Sequence, residues 1–237
     1  MRAILKVLVI DIGGNSVKVL VSGETEPRKF PSGPRLTPNQ MVLAVRKLTE
    51  DWDYDVVSIG YPGRARENRP IAEPNNLGRG WVRFDFKKAF GVPFKIVNDA
   101  AMQGLGSYRG GTMLFLGLGT GLGTALVVNG TVVPMELGQL SYRGGTYESY
   151  LGLNGLKRLG IAKWRGVVRD VAARFFSALE LDECVIGGGN VNKMDKMPPG
   201  CRVGDNAHAF RGGILLWNQN GDVRSVDRQS ARRRSRR

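Results

Sequence analysis

Two glycine turns and a few carboxylates carry the chemistry that can be read from this chain. The first turn is Asp11-Ile12-Gly13-Gly14-Asn15, followed closely by Lys18, and the second is Gly119-Thr120-Gly121. Glycine lets backbone N–H groups come near an anion, and a turn presenting several of them cradles phosphate oxygens. Asp11, at a strand end beside the first turn, suits Mg2+ held through water, because a hard cation takes carboxylate and water oxygens. Lys18 can neutralise phosphate charge. Each feature also has a plainer role: either glycine pair is a tight turn, Asp11 a turn former, Lys18 a solvent-facing strand residue. Taken together, with Asp11 and Lys18 flanking the first, the two turns are more specific for phosphate. A third run, Gly187-Gly188-Gly189, is weak evidence for a nucleotide by itself. Asn98-Asp99 stands where a strand gives way to a helix, and both residue types are natural caps there.

The elements that must position these residues alternate. Ile4 to Ile10 and Val17 to Val21 are apolar, β-branched-rich strands joined by the first turn. Pro38 to Glu50 has helical spacing at Met41, Val42, Val45 and Leu48, and Asp55 to Gly60 returns as a buried strand. A polar stretch from Pro62 to Arg83 precedes the strand Phe94 to Val97. A second hairpin, Met113 to Leu118 and Thr124 to Val128, surrounds the second turn, and Asn129-Gly130 leads into Thr131 to Val133. Helical patterning covers Thr146 to Leu159 and Val167 to Leu179, then a strand Glu183 to Ile186, then a helix Ala207 to Trp217. Helices between strands imply an α/β fold. Two glycine-tipped hairpins about a hundred residues apart suggest an internal duplication. The expected halves are residues 1–104 and 105–221, with the last helix able to pack back on the first half, followed by a basic tail at 222–237.

At 237 residues and 42% hydrophobic content the chain can bury a substantial core. Two cysteines and one histidine cannot build a disulfide framework or a structural zinc site, which fits a reducing compartment. No run approaches the roughly 20 apolar residues of a membrane span, and no signal peptide is evident, so a cytoplasmic protein with no membrane partner is expected. The net charge is +14; setting aside the segment from Asp222 onward removes seven arginines and two aspartates and leaves +9. A polyanionic partner is compatible with that charge, as is a solvated basic surface.

Asp11-Ile12-Gly13-Gly14-Asn15-Ser16-Val17-Lys18, Val97-Asn98-Asp99-Ala100, Leu116 to Gly123 and Val185-Ile186-Gly187-Gly188-Gly189 resemble, in order and spacing, the successive signatures of the ROK sugar kinases. Asn129 to Leu140, which contains Pro134 and then Glu136-Leu137-Gly138-Gln139-Leu140, is most similar to the polyphosphate glucokinases of that family. The resemblance implies an actin-like, ribonuclease H-like fold of two similar domains around a cleft. It implies a hexokinase reaction on glucose or a related hexose, with polyphosphate and/or ATP as donor and Mg2+ as cofactor. Homodimers are common in the family.

Carried over by position, Asp99 matches the general base that accepts the proton of the sugar 6-hydroxyl. Asn98, Glu136, Gln139 and Glu148 match sugar-binding positions, Glu148 lying nine residues after Gln139. Asp11, Gly13, Gly14, Asn15, Lys18, Gly119, Thr120 and Gly121 match the phosphate loops. Gly187, Gly188 and Gly189 match the turn near a nucleotide's adenine. Gln139 replaces the usual histidine and cannot become a cation, which opens the choice of sugar to mannose, fructose or an amino or N-acyl hexosamine. Asn15 stands where threonine is common, and the zinc segment of many ROK proteins is missing, as it is in polyphosphate glucokinases. Asp11 leaves no room before it for a repressor's DNA-binding helices, so no specific nucleic-acid partner is expected. A sensor that keeps the fold without catalysis is the reading from another class; the retained Asp99 and both phosphate turns argue against it.

Overall fold

The computed structural model describes residues 5–205 and 207–218; the basic tail at 222–237 lies outside the described residues. The first half runs β1 (Val7–Ile12), β2 (Ser16–Val21), β3 (Arg28–Pro31), α1 (Pro38–Leu48), β4 (Val56–Tyr61), the small strands β5 (Ala65–Arg66) and β6 (Arg69–Pro70), α2 (Phe86–Phe90), β7 (Phe94–Asn98) and α3 (Asp99–Ser107). The second half runs β8 (Thr112–Leu118), β9 (Leu122–Val128), β10 (Thr131–Met135), β11 (Ser141–Tyr142), β12 (Gly145–Thr146), α4 (Tyr147–Leu151), α5 (Leu153–Leu159), α6 (Ile161–Ala178), β13 (Glu183–Gly187), β14 (Cys201–Val203) and α7 (His208–Asn218).

The two main sheets have the same order, β3-β2-β1-β4-β7 and β10-β9-β8-β13-β14. In each, an antiparallel three-strand meander is extended by two parallel strands. β1 and β4 are buried along their whole length, as central strands covered on both faces must be, whereas β2 alternates. Thr37 starts α1 with a capping box to Gln40, and Met41, Val42 and Val45 turn into the core.

Three apolar clusters define the layers. One lies between the first sheet and α1 and α2 and contains Trp81; another joins the second sheet to α6 and contains Trp164. The third lies between the two sheets and is built around α3 and α7. These helices cross at backbone contact. A Cβ placed on Gly212 would lie 1.8 Å from the Met102 carbonyl oxygen, and one on Gly106 would lie 1.8 Å from that of His208. α7 is also fastened to the first sheet. The buried Ser58 hydroxyl donates to the Gly213 carbonyl (2.7 Å) and accepts from Trp217 Nε1 (2.8 Å).

The single helix expected over Thr146 to Leu159 is two helices. Gly152 adopts φ −69° and ψ 177°, closing α4 through its N–H to the Glu148 carbonyl (2.9 Å), and Leu153 N–H turns away to the Thr120 carbonyl (3.1 Å). Periodicity continues across the break because both helices face the same core. α6 starts at Ile161, six residues ahead of the expected Val167, after Gly160 turns at φ 72°. β3 and β14 were not expected from sequence: both are edge strands, where charged residues such as Arg28, Lys29 and Arg202 obscure apolar alternation.

Gly212→Ala should destabilise the fold by about 3 kcal/mol, the upper end of ordinary overpacking. Thermal denaturation should show a Tm lower by roughly 6–12 °C.

Candidate active site

Asp99 is the first residue of α3. Asn98 caps that helix: its Oδ1 accepts from the N–H groups of Ala100 (3.0 Å) and Ala101 (3.3 Å), and its Nδ2 donates to the Gly63 carbonyl (3.1 Å). The cap fixes the direction of Asp99, whose Oδ1 accepts from Ala100 N–H (2.8 Å). One Nδ2 hydrogen of Asn98 is left for a ligand.

Asp11 sits near the end of β1, buried, in register with Lys18 on β2 and with Gly60 on β4. A Cβ on Gly60 would fall 2.3 Å from Met102 Cε, the mobile end of that side chain, and in ordinary contact with Asp11 Oδ1 at 3.5 Å. Burial pushes the Asp11 carboxyl up to about 6, against the pull of Lys18. Asp99 is pushed up to about 7, first by burial, then by the charge of Asp11, with Glu136 adding to it; the backbone donor Ala100 opposes the shift. Although its carboxyl is crowded by protein, part of the Asp99 residue stays open to solvent, which leaves an approach for a hydroxyl.

The acidic series continues outward. Glu136 is raised by burial, held back by Arg64, and raised again by Glu148. Glu148 Oε2 accepts from Leu122 N–H (3.0 Å), and its Oε1 accepts a long contact from Gln139 Nε2 (3.4 Å). Asn98-Asp99 and the segment holding Glu136, Gln139 and Glu148, two stretches separated in sequence, are thereby linked.

The two glycine turns are built differently. In the first, Gly13 N–H donates to the Ser16 carbonyl (3.0 Å), and Ser32 braces the turn from outside, its hydroxyl donating to the Gly13 carbonyl (2.6 Å) and its N–H to the Asn15 carbonyl (3.1 Å). Gly14 packs near Asn76, and the Asn15 side of the turn is exposed. In the second, Gly119 N–H donates to the Gly121 carbonyl (3.1 Å), and Thr120 is exposed at the tip. A Cβ on Gly121 would lie 2.4 Å from Glu148 Oε2.

Gly187 ends β13, and Gly188 and Gly189 turn the chain out of it against this second turn. Gly188 has φ 85°, and a Cβ there would meet the Leu118 backbone at 2.5 Å; one on Gly187 would meet the Phe115 ring at 2.8 Å. Gly189 faces open space. Asn190, the next residue, locks the two turns together: its Nδ2 donates to the Gly119 carbonyl (2.9 Å) and its N–H to that of Leu118 (2.9 Å).

Sequence reasoning did not single out Arg64 or Asn190. Arg64 follows Pro62-Gly63 in a stretch read only as polar and arginine-rich, and Asn190 directly follows the triple glycine. The second of these positions offered the signal of an amide side chain at the mouth of a glycine turn.

The profile described as ROK family matches residues 7–139. A polyphosphate glucokinase of Mycobacterium tuberculosis is 25% identical over 213 residues, covering 80% of each chain. Among solved structures, the inorganic polyphosphate/ATP-glucomannokinase from Arthrobacter sp. strain KM superposes with a TM-score of 0.77 at 20% identity, covering 90% of this chain and 98% of that one. A ROK family glucokinase from Streptomyces griseus, in complex with glucose and AMPPNP, gives a TM-score of 0.71 at 16% identity over 89% and 98% of the two chains. The fold is therefore the actin-like, ribonuclease H-like one.

Asp99 gives a signed pH dependence. Below its ordinary value of 3.8 the carboxyl is protonated whether the chain is folded or not; between 3.8 and about 7 the native state keeps a proton that the unfolded chain releases. Its contribution to stability is thus lost as pH rises through about 7. Asp99→Asn should raise thermal stability by about 1–3 kcal/mol at pH 8, with much less gain near pH 4, in paired melting curves.

Proposed function

This chain belongs to the ROK family and is a hexokinase-type phosphotransferase, and from that premise we propose that it transfers the terminal phosphate of polyphosphate and/or ATP to the 6-hydroxyl of glucose. The observation that carries this reading is the Asp99 carboxyl, fixed at the start of α3 by Ala100 N–H and raised by burial and by the charges of Asp11 and Glu136, while Glu148 reaches both Gln139 and the second glycine turn.

In this reading the sugar lies against Asn98, Glu136, Gln139 and Glu148, whose amides and carboxylates suit neighbouring hydroxyls. Asp99 accepts the 6-hydroxyl proton as that oxygen attacks the donor phosphorus. A carboxylate whose ordinary affinity for protons has been raised is a stronger base near neutral pH than an exposed aspartate. The donor's phosphates lie along Gly13, Gly14, Asn15 and Lys18 on one side and Gly119, Thr120 and Gly121 on the other. Gly187, Gly188 and Gly189 take the base of a nucleotide donor. Little covalent help is needed, because phosphoryl transfer depends mainly on position and charge neutralisation.

The residues also fit Mg2+. Asp11 is a buried carboxylate beside a second one, Asp99, with Lys18 as the cation acting on it, so a divalent ion would relieve their repulsion. Asp11 would hold the ion through water, together with the donor's own oxygens. When bound, Mg2+ supplies charge neutralisation to the donor phosphates. We place the division between two lobes at residues 104 and 105, within α3, with the enzyme working in the cytoplasm as a homodimer.

A kinase for another hexose is the second reading. It rests on Gln139, which is exposed and reaches Glu148 only at 3.4 Å, so the sugar side is less tightly specified than the base. Purified protein supplied with Mg2+, glucose and either ATP or long-chain polyphosphate should form glucose 6-phosphate. Asp99→Asn should lower kcat by about 10²- to 10⁴-fold. Activity of the parent should rise with pH as Asp99 loses its proton. Product from mannose, fructose or a hexosamine with none from glucose would move the assignment to the second reading; no product from any sugar with either donor would overturn the kinase mechanism.

A further inference from the structure

The chain has only two cysteines, and the fold makes them neighbours. Cys184 on β13 and Cys201 on β14 are register partners in a parallel pair. Both belong to the same apolar cluster, so their side chains leave the sheet on the same face. Cys184 is fully buried and Cys201 is half-buried, and both are free thiols. Adjacent strands lie about 4.7–4.9 Å apart, within the roughly 4.4–6.8 Å between Cα atoms that a disulfide spans.

We propose that Cys184 and Cys201 form a reversible dithiol/disulfide site that takes a peroxide as oxidant and, when closed, alters the donor side of the active site. Cys201 is the attacking thiol, since it is the accessible one, and the neighbouring Cys184 thiol draws its pKa below the ordinary value. Its thiolate sulfur attacks one peroxide oxygen and breaks the O–O bond, giving a sulfenic acid and hydroxide. Cys184 sulfur then displaces the sulfenic oxygen as water, and with the two thiol protons accounted for, two thiols and one hydrogen peroxide yield a disulfide and two waters. In a reducing compartment such a bond is transient and reports an oxidative event.

The path to the active site is short. β13 runs directly into Gly187-Gly188-Gly189, and Asn190 ties that turn to Gly119. The exit of β14 is seated on the same place: Gly204 N–H donates to the Ile186 carbonyl (2.8 Å), and a Cβ on Gly204 would lie 2.9 Å from Val185 Cγ1. Drawing the two strands together therefore acts where the donor turns are fastened, and leaves Asn98 and Glu136 on their own supports.

The full chain, reduced and then treated with hydrogen peroxide, tests this. Intact mass should fall by two hydrogen masses per chain, peptide mapping without reductant should recover the 184–201 link, and dithiothreitol should reverse both. The oxidised enzyme should change its donor KM by at least about fivefold, the low end of ordinary coupling between sites, while its sugar KM is unchanged. Cys201→Ser and, independently, Cys184→Ala should be insensitive. Thiols that remain titratable, a sulfinic acid on Cys201 without the link, or a link between chains would overturn the site. A link formed with an unchanged donor KM would overturn its action on the donor side. This kinetic arm rests on the proposed phosphotransfer, whereas the mass arm does not, so failure of one reading is distinguishable from failure of the other.

Discussion

The position of the first turn of α3 is the constraint on which the site depends. The direction of the Asp99 carboxyl comes from a helix start held by Asn98 at one end and by a glycine-to-backbone crossing with α7 further along. α7 is in turn fixed to the first sheet through Ser58, a buried hydroxyl that accepts from Trp217 and donates to Gly213. A polar group at the centre of a core is tolerated because both its functions are satisfied, and it makes the register of α7 on the sheet specific. The carboxylate is thus positioned by contacts that reach through the layer between the two sheets.

A second dependence links the second glycine turn to Gln139 through Glu148. Gly121 leaves space for Glu148, and Glu148 holds the N–H that follows the second glycine turn while touching Gln139. One carboxylate therefore belongs to both halves of the site. The break between α4 and α5 has the same origin, since Leu153 gives its N–H to the Thr120 carbonyl instead of continuing the helix. Loss of a helical hydrogen bond is offset by one that braces the turn.

The site is also a concentration of like charge. Burial raises Asp11 and Asp99, the charges of Asp11 and Glu136 add to the shift at Asp99, and that of Glu148 adds to the shift at the more exposed Glu136, with Lys18 opposing at Asp11 and Arg64 at Glu136. Such an arrangement lowers the stability of the empty fold and raises the gain on binding a cation or polar substrate, a trade common where groups are organised for catalysis.

By itself the sequence determined the α/β class and both hairpins with their glycine turns, and it named Asp11, Asp99, Glu136, Gln139 and Glu148, which the structure links through charge and hydrogen bonding. These are legible because they rest on local physics: β-branched runs, glycine at turns, a capping amide before Asp99. Tertiary structure decided what local pattern cannot carry. Edge strands β3 and β14 have partners on one side only, so their charged residues hide them. Gly152 looks like one position in a continuous helical pattern until the Thr120 carbonyl claims the next N–H. Arg64, Asn190 and the pairing of Cys184 with Cys201 depend on which strands become neighbours, and that is settled by packing of distant segments and not by any spacing along the chain.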